Sequence, residues 1–226
     1  EQHIFLQKLA RKTWSYFDYF VVMGDNWLPP DNFQEQPVEQ IAHRTSPTNI
    51  GLSLLASLTA CDFGYITSSE FIERTKNTIG TMQKMEKYKG HFYNWYDTET
   101  LNPMPPKYIS TVDSGNLAGH LLVLQQGLLV IPHQEIQSKQ LFNGLMDTLR
   151  VLEDTANENE RKLFEPFIIE LKTLSNGNDY TQIEVKNYIE SLSKHFSRIS
   201  EKIDTNPVSE TYRWRQIFNK QLEHLN

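Results

Sequence analysis

The sequence contains a single cysteine, and this scarcity excludes two kinds of stabilising site. An intrachain disulfide needs two cysteines, and a zinc site of the paired-cysteine type needs more thiolates than Cys61 can supply. Since Cys61 follows an apolar run, we expect it to be a small core residue. With 226 residues, the chain is long enough to bury one sizeable hydrophobic core, with or without a helical appendage.

Clusters of lysine and arginine are also absent. The 22 basic residues are outnumbered by 28 acidic ones, which gives a formal net charge of −6. Nucleic acids and anionic membrane surfaces require clustered positive charge, so neither is expected as a partner. Nucleotide phosphates require a glycine-rich loop with a lysine, and the sequence has no such loop.

No apolar run is long enough to cross a bilayer. The longest, residues 117–131, is interrupted by His120, Gln125 and Gln126, so we expect no direct membrane insertion. The chain begins with Glu1, and the residues that follow do not have the pattern of a signal peptide. We therefore expect a piece of a longer polypeptide that is soluble when excised.

Apolar residues recur at helical spacing in every apolar-rich stretch, which predicts an all-α fold. In the first half, long loops rich in Trp, Tyr, Asn, Asp and Pro separate four helices, and a short extended segment is expected only near residues 90–112. Ser46 and Pro47 have the pattern of an N-cap followed by the first helical residue. The fourth helix is predicted to begin near Asp113 or Ser114.

The second half of the sequence is simpler, with short connections and charged helix faces. It predicts four amphipathic helices, at about 133–153, 158–175, 180–204 and 209–225. We therefore divide the chain into two parts, residues 1–131 and 132–226. Long irregular loops in a compact helical domain are usually functional, so any chemistry is expected in the first part.

Four loop segments of the first part carry the polar and aromatic residues, each beside a predicted helix end. They are residues 25–35, 43–51, 90–97 and 110–120. In an array of antiparallel helices, alternate loops gather on one rim, where these segments would offer amides, carboxylates, one arginine and several rings. This mixture suits a sugar, whose hydroxyls need donors and acceptors while its apolar face needs a ring. The candidate sugar-binding residues are Trp27, Asp31, Asn32, Arg44, Thr45, Asn49, Tyr93, Asn94, Trp95, Asp97, Asp113, Ser114 and Asn116.

Several of these residues also have structural interpretations. Trp27 and Trp95 are equally consistent with core residues whose N–H reaches a carbonyl. Glycosidase chemistry uses two carboxylates, and the candidates in this half are Asp31, Glu35, Asp97 and Asp113. We expect Arg44 to form a buried pair with one of these carboxylates.

The histidines of the four segments do not have metal-ligand spacing. No metal site is therefore expected.

The four segments, in this order and spacing, resemble the middle, glucoamylase-like domain of cyclic β-1,2-glucan synthases. The match runs from about Leu9 to Leu129 and includes the stretches at 26–32, 43–51, 91–97 and 110–120. Residues 132–226 resemble that family only in helical character.

The resemblance implies a very large membrane-embedded parent that builds β-1,2-glucan from UDP-glucose. Its middle domain is similar to (α/α)6-toroid glycosidases and cyclises linear glucan by transglycosylation with retention. The implied location is the cytoplasmic face of the inner membrane, the implied partners are β-1,2-glucan or another gluco-oligosaccharide and the rest of the parent polypeptide, and no cofactor is implied for this part.

The chain departs from the family in length. The family's catalytic glutamates are expected in downstream segments that this sequence does not contain, and a toroid needs about twelve helices, of which roughly eight are predicted here. We therefore expect an incomplete toroid with a helical extension, inactive by itself.

Two other interpretations stay open from the sequence. One is a non-catalytic glycan-binding or helical interaction module. The other is a complete small hydrolase that uses Asp97 and Asp113, which would need their carboxyl groups about 5–10 Å apart across a cleft.

Overall fold

The computed structural model describes residues 2–131, 138–177 and 180–225, and this part of the chain is predominantly helical. Eight α-helices lie within it, and a short 3-10 helix, Met23–Asp25, follows the first. The helices are α1 (Gln2–Phe20), α2 (Pro47–Asp62), α3 (Ser68–Lys84), α4 (Thr111–Val130), α5 (Ser138–Thr155), α6 (Glu158–Asn176), α7 (Gln182–Ser200) and α8 (Glu210–Leu225). The predicted all-α class is confirmed, whereas the toroid arrangement stays a prediction.

The helix starts follow local capping chemistry. The Ser46 hydroxyl accepts from the Asn49 backbone N–H at 3.2 Å, and Pro47 opens α2 as predicted. α4 begins earlier than predicted, because the Ser110 side chain, and not Asp113 or Ser114, caps it by accepting from the Asp113 N–H. The first residues of the helix predicted at 133–153 lie outside the described residues.

Six strands of two residues each form three antiparallel pairs, more sheet than the sequence predicted. β1 (Phe33–Gln34) pairs with β2 (Gln40–Ile41), β3 (Arg44–Thr45) with β6 (Tyr96–Asp97), and β4 (Lys87–Tyr88) with β5 (His91–Phe92). The expectation of extended structure only near residues 90–112 is therefore wrong for β1 to β3, whereas the β4–β5 pair lies at the edge of that region. These strands are too short to show an alternating pattern, and the partner of β3 lies far away in the sequence.

The chain divides into two compact units. The helical unit contains residues 2–13, 60–67 and the described part of 138–225, and the loop unit contains residues 14–59 and 68–131. In the helical unit, α5 to α8 surround an apolar core in which the rings of Phe167, Phe196 and Phe218 contact one another. Whether 1–131 and 132–226 are the domains of a longer protein stays a prediction.

In the loop unit, α2 and α4 pack closely through glycines. The His120 side chain of α4 lies on Gly51 of α2, and the Leu58 side chain of α2 lies on Gly127 of α4, so closely that a Cβ at either glycine would overlap its neighbour. The two contacts have the same seven-residue spacing in both helices and the same order, so α2 and α4 run in the same direction. Their N-termini therefore lie at the same end of the loop unit.

Much of the α4 surface is apolar and exposed. Its exposed apolar side chains are Val112, Leu122, Val123, Leu129 and Val130. None of the helices in the described residues has both the length and the apolar character that a membrane span requires.

Candidate functional site

The first turns of α2 and α4 are joined by side-chain hydrogen bonds. Thr48 Oγ1 donates to Asp113 Oδ1 at 2.6 Å, and Asn116 Nδ2 donates to Thr48 Oγ1 at 3.2 Å. Asp113 lies in the first turn of α4, where a negative charge is favourable at the helix N-terminus. Sequence reasoning named Asp113 and Asn116 but missed Thr48, although Thr48 immediately follows the recognised helix start at Ser46–Pro47.

A buried asparagine connects Asp113 to the third loop segment. With its amide oriented to satisfy its neighbours, Asn94 Nδ2 donates to Asp113 Oδ2 at 3.0 Å. The Asn94 Oδ1 atom accepts from Trp95 Nε1 at 2.6 Å and from the Tyr108 hydroxyl at 2.7 Å. Both Asp113 oxygens thus hold structural partners, and the N–H of Trp95 is satisfied by Asn94.

The second part of the site is an arginine held between a carboxylate and a ring. Arg44 donates from Nε (3.1 Å) and Nη2 (2.9 Å) to Asp31 Oδ2, and its guanidinium lies 5.0 Å from the centre of the Trp95 ring. Asn32 Nδ2 also donates to Asp31 Oδ2, at 3.2 Å, and Asn49 Nδ2 lies 3.4 Å from Asp31 Oδ1.

The predicted burial of the Arg44 pair is wrong. The Arg44 side chain is 48% exposed and that of Asp31 is 21% exposed, so water screens the pair. Such pairs contribute about 0–1 kcal/mol to stability, far less than a buried one.

These contacts form a continuous network that we call the polar rim. The polar rim consists of Asp31, Asn32, Arg44, Thr48, Asn49, Asn94, Trp95, Asp113 and Asn116. It gathers residues from all four loop segments that the sequence singled out.

Three other candidate residues, Thr45, Tyr93 and Ser114, are not part of the polar rim. The β3–β6 pair places Arg44 opposite Asp97 and Thr45 opposite Tyr96, and the Thr45 side chain is completely buried. Tyr93 donates its backbone N–H to the Tyr96 hydroxyl at 2.7 Å. Lys107 Nζ lies 5.5 Å from the centre of the Tyr93 ring. Ser114 is half-buried in the first turn of α4.

Asp97 stabilises a turn. Its Oδ1 atom accepts from the backbone N–H groups of Glu99 (3.1 Å) and Thr100 (2.7 Å) and from the Thr100 hydroxyl (2.8 Å). The hydrogen bond from the Thr100 backbone is the main reason that the pKa of Asp97 is lowered. A general acid of a glycosidase needs a raised pKa, so this environment does not suit Asp97 for that role.

A second carboxylate network, not predicted from the sequence, supports the loops. His43 Nδ1 lies 2.7 Å from Asp25 Oδ1, which also accepts from the Thr98 hydroxyl at 2.5 Å. The hydrogen bond to Asp25 raises the pKa of His43 above its usual value. Within the described part of the chain, no three His, Cys, Asp or Glu side chains are arranged to hold a metal ion.

Trp27 lies apart from these groups. It lines a cleft along α3 together with Met23 and Asn26, and that cleft shares no residue with the polar rim.

Comparison with known proteins identifies a related sequence. The chain is 45% identical, over 166 residues, to the cyclic β-(1,2)-glucan synthase NdvB of Rhizobium meliloti. The resemblance to cyclic β-1,2-glucan synthases is thereby confirmed. The match covers 71% of this chain but only 6% of the synthase.

Two further comparisons add little. No protein-family model matches the chain. A crystal structure from Bacteroides fragilis, described as that of a protein assigned as a glucoamylase, superposes with a TM-score of 0.38 and 15% identity, over 84% of this chain and 35% of that one. The TM-score and the sequence identity are too low for this similarity to inform the fold or the function of this chain.

Proposed function

We propose that this chain is part of a cyclic β-1,2-glucan synthase and that its polar rim binds glucan in the domain that cyclises the linear polymer. The observation that carries the proposal is the 45% identity to a synthase of that activity over 166 residues. The rim adds a chemical reason, since it combines a guanidinium, carboxylates, amides and an indole at one end of two helices.

Arg44 is the central binding group in this proposal. Asp31 and the Trp95 ring hold the guanidinium in place while nearly half of the side chain stays exposed. A planar guanidinium carries five donors in a fixed geometry, which suits adjacent sugar hydroxyls. The amides of Asn32, Asn49 and Asn116 supply both donors and acceptors beside it.

The chain itself is proposed to be inactive. Retaining transglycosylation requires one carboxylate as nucleophile and a second as acid and then base. Two of the four carboxylates considered for these roles hold structural partners, Asp97 within its turn and Asp113 with Thr48 and Asn94. The catalytic pair would then come from other segments of a longer protein, at the cytoplasmic face of the inner membrane.

Incubation of the chain with linear β-1,2-glucan, followed by mass spectrometry, tests this part of the proposal. We expect the glucan to be recovered unchanged. Cyclic or shortened products that disappear in Asp97→Asn or Asp113→Asn would show that the chain contains a catalytic pair.

The apolar surface of α4 favours one partner for the chain, the rest of the longer polypeptide. Leu122 is 64% exposed and Val130 is 51% exposed on this one helix. Contiguous apolar surface of this kind is typical of protein interfaces. This feature is also what a helical interaction module without catalytic activity would present, which makes such a module the second candidate function.

A further inference from the structure

The cleft beside α3 has a volume of about 540 Å³ and lies outside the polar rim. Its walls come from the turn that contains Asn26 and Trp27 and from one face of α3, including Lys76, Asn77 and Gly80. Three features of this cleft bear on its function: a tryptophan with a positive φ angle, a glycine that packing does not require, and no carboxylate among the described lining residues.

Trp27 has a backbone conformation that bulky residues rarely adopt. Its φ angle is 60°, and that of Asn26 is 52°. Asparagine tolerates the left-handed region, but for an aromatic residue it costs on the order of 1–3 kcal/mol and persists only where the surroundings enforce it.

The surroundings of the turn enforce that conformation through five hydrogen bonds. The Trp27 N–H donates to the Val22 carbonyl at 2.9 Å, and the hydroxyls of Thr78 and Thr81 donate to the Trp27 and Asn26 carbonyls at 2.9 and 2.7 Å. Asn26 Nδ2 donates to the carbonyls of Thr98 (2.8 Å) and Glu99 (2.9 Å). These bonds hold the turn against α3, and Trp27 lines the cleft.

Gly80 keeps the opposite wall open. It lies inside α3, where glycine is less favourable than alanine by about 1 kcal/mol. A Cβ at this position would meet no atom within 4 Å, so packing does not require the glycine. Because Gly80 lines the cleft, a side chain there would occupy space that is now available to a ligand.

The remaining lining supplies hydrogen-bonding groups without negative charge. Asn77 and Gln83 offer amide donors and acceptors, and Lys76 and Lys84 offer ammonium donors. No aspartate or glutamate is among the described residues that line the cleft. A cleft that combines a tryptophan with amide and ammonium groups suits a sugar ring, whose apolar face can lie on the indole while its hydroxyls bind the polar groups.

We propose that this cleft is a second sugar site, in which a glucose residue of a neutral gluco-oligosaccharide lies on the Trp27 indole above Gly80. The choice of ligand rests on the proposed function, but the site shares no residue with the polar rim. A glucan chain bound to the loop unit would therefore have two separate places of attachment.

The four tryptophans provide a test that separates the two sites. Trp27 lines the cleft, Trp95 belongs to the polar rim, and Trp14 and Trp214 are buried and serve as internal references. The ¹⁵N-labelled chain is titrated with linear β-1,2-gluco-oligosaccharide, and the indole N–H signals are followed by NMR. We expect the Trp27 signal to move in a saturable manner while the Trp14 and Trp214 signals stay fixed.

Gly80→Leu places a side chain in the cleft at a position where the added Cβ meets no atom, and Gly119→Ala in α4, another glycine with open space around it, is the control. We expect Gly80→Leu to weaken the binding reported by Trp27 about tenfold, with no change in the binding reported by Trp95. Gly119→Ala should behave as the unchanged chain does in both respects.

Movement of the Trp95 signal alone would overturn the second site and leave the proposed function intact. Movement of the Trp27 signal alone would support the cleft and contradict binding at the polar rim, and no movement of either would contradict both. If the Trp27 signal moved only with an acidic sugar, and this movement disappeared with added salt, the proposal that the cleft binds a neutral oligosaccharide would be wrong.

Discussion

At the scale of single residues, the loop unit uses its carboxylates mainly to fix loops. Asp97 accepts three hydrogen bonds within its own turn, and Asp113 joins two helix ends to Asn94. These roles depend on which donors surround each carboxylate. The sequence shows that the carboxylates are near helix ends and loops, but it does not show those donors.

Replacing Asp97 tests its role in the turn. Asp97→Ala should lower the free energy of unfolding at pH 7 by about 1 kcal/mol, because the turn loses the acceptor for two backbone N–H groups. The folded-state pKa of Asp97 is lowered, so its stabilisation is present above the unfolded-state value and is lost as the pH falls through the folded-state value. Urea unfolding of both chains should therefore give curves that converge in acid. A difference that persists unchanged at about pH 2 would contradict this assignment.

His43 should have the opposite pH dependence. The pKa of His43 is raised by Asp25, with Glu99 and Asp97 adding smaller favourable charges. A raised folded-state pKa gives stability that is fully present below the unfolded-state value of about 6.5 and is lost as the pH rises through the folded-state value. His43→Gln should thus be less stable than the unchanged chain by a larger margin at acidic than at alkaline pH. The NMR titration of the His43 ring gives the pKa directly, and a value below the usual one would refute the pairing.

At the scale of secondary structure elements, the packing of α2 against α4 positions the polar rim. Because the two helices run in the same direction, Thr48 and Asp113 meet at their N-termini. Gly51→Ala should destabilise the chain by about 1–3 kcal/mol, since its Cβ would overlap the His120 ring.

Gly119→Ala is the matched control for this prediction. It also lies in a helix of the loop unit, but its added Cβ would meet nothing, so it should be neutral or stabilising by up to about 1 kcal/mol. Thermal unfolding of both variants makes the comparison. Equal effects of the two substitutions would show that α2 and α4 do not pack through Gly51.

The helices could be predicted from the sequence because their apolar spacing is a local signal. The starts of α2 and α6 to α8 came within a few residues of the prediction. The two-residue strands could not be predicted, because the pairing of Arg44 with Asp97 joins residues far apart in the sequence. Burial inside a helix is not fully local either, since Ile183 is an apolar residue of α7 but is 74% exposed.

The polar rim was only partly predictable for a related reason. The four loop segments and most of the polar rim residues were evident from composition and from the family resemblance. The exposure of the Arg44–Asp31 pair depends on how much protein covers it, and the placement of Trp27 in the cleft along α3 depends on the turn at Asn26. Neither property is contained in a local pattern.

At the scale of the whole molecule, the apolar surface of α4 should govern association. Replacing both Leu122 and Val130 with Gln should reduce self-association, because these exposed side chains contribute apolar contact area. The free energy of unfolding should change by no more than about 0.5 kcal/mol per site, as is usual for exposed positions. Sedimentation velocity across a concentration series provides the measurement. Equal association of both chains would show that this surface of α4 does not drive self-association of the chain.

The account of the whole molecule depends on glucan binding at the polar rim, and Arg44→Ala tests it most directly. Isothermal titration with linear β-1,2-gluco-oligosaccharide should give a Kd on the order of 1 mM for the unchanged chain and for Arg198→Ala, an exposed arginine of the helical unit. Arg44→Ala should weaken binding about tenfold while changing the free energy of unfolding by no more than about 1 kcal/mol. If Arg44→Ala bound the oligosaccharide as tightly as Arg198→Ala does, the polar rim would not be the glucan-binding site.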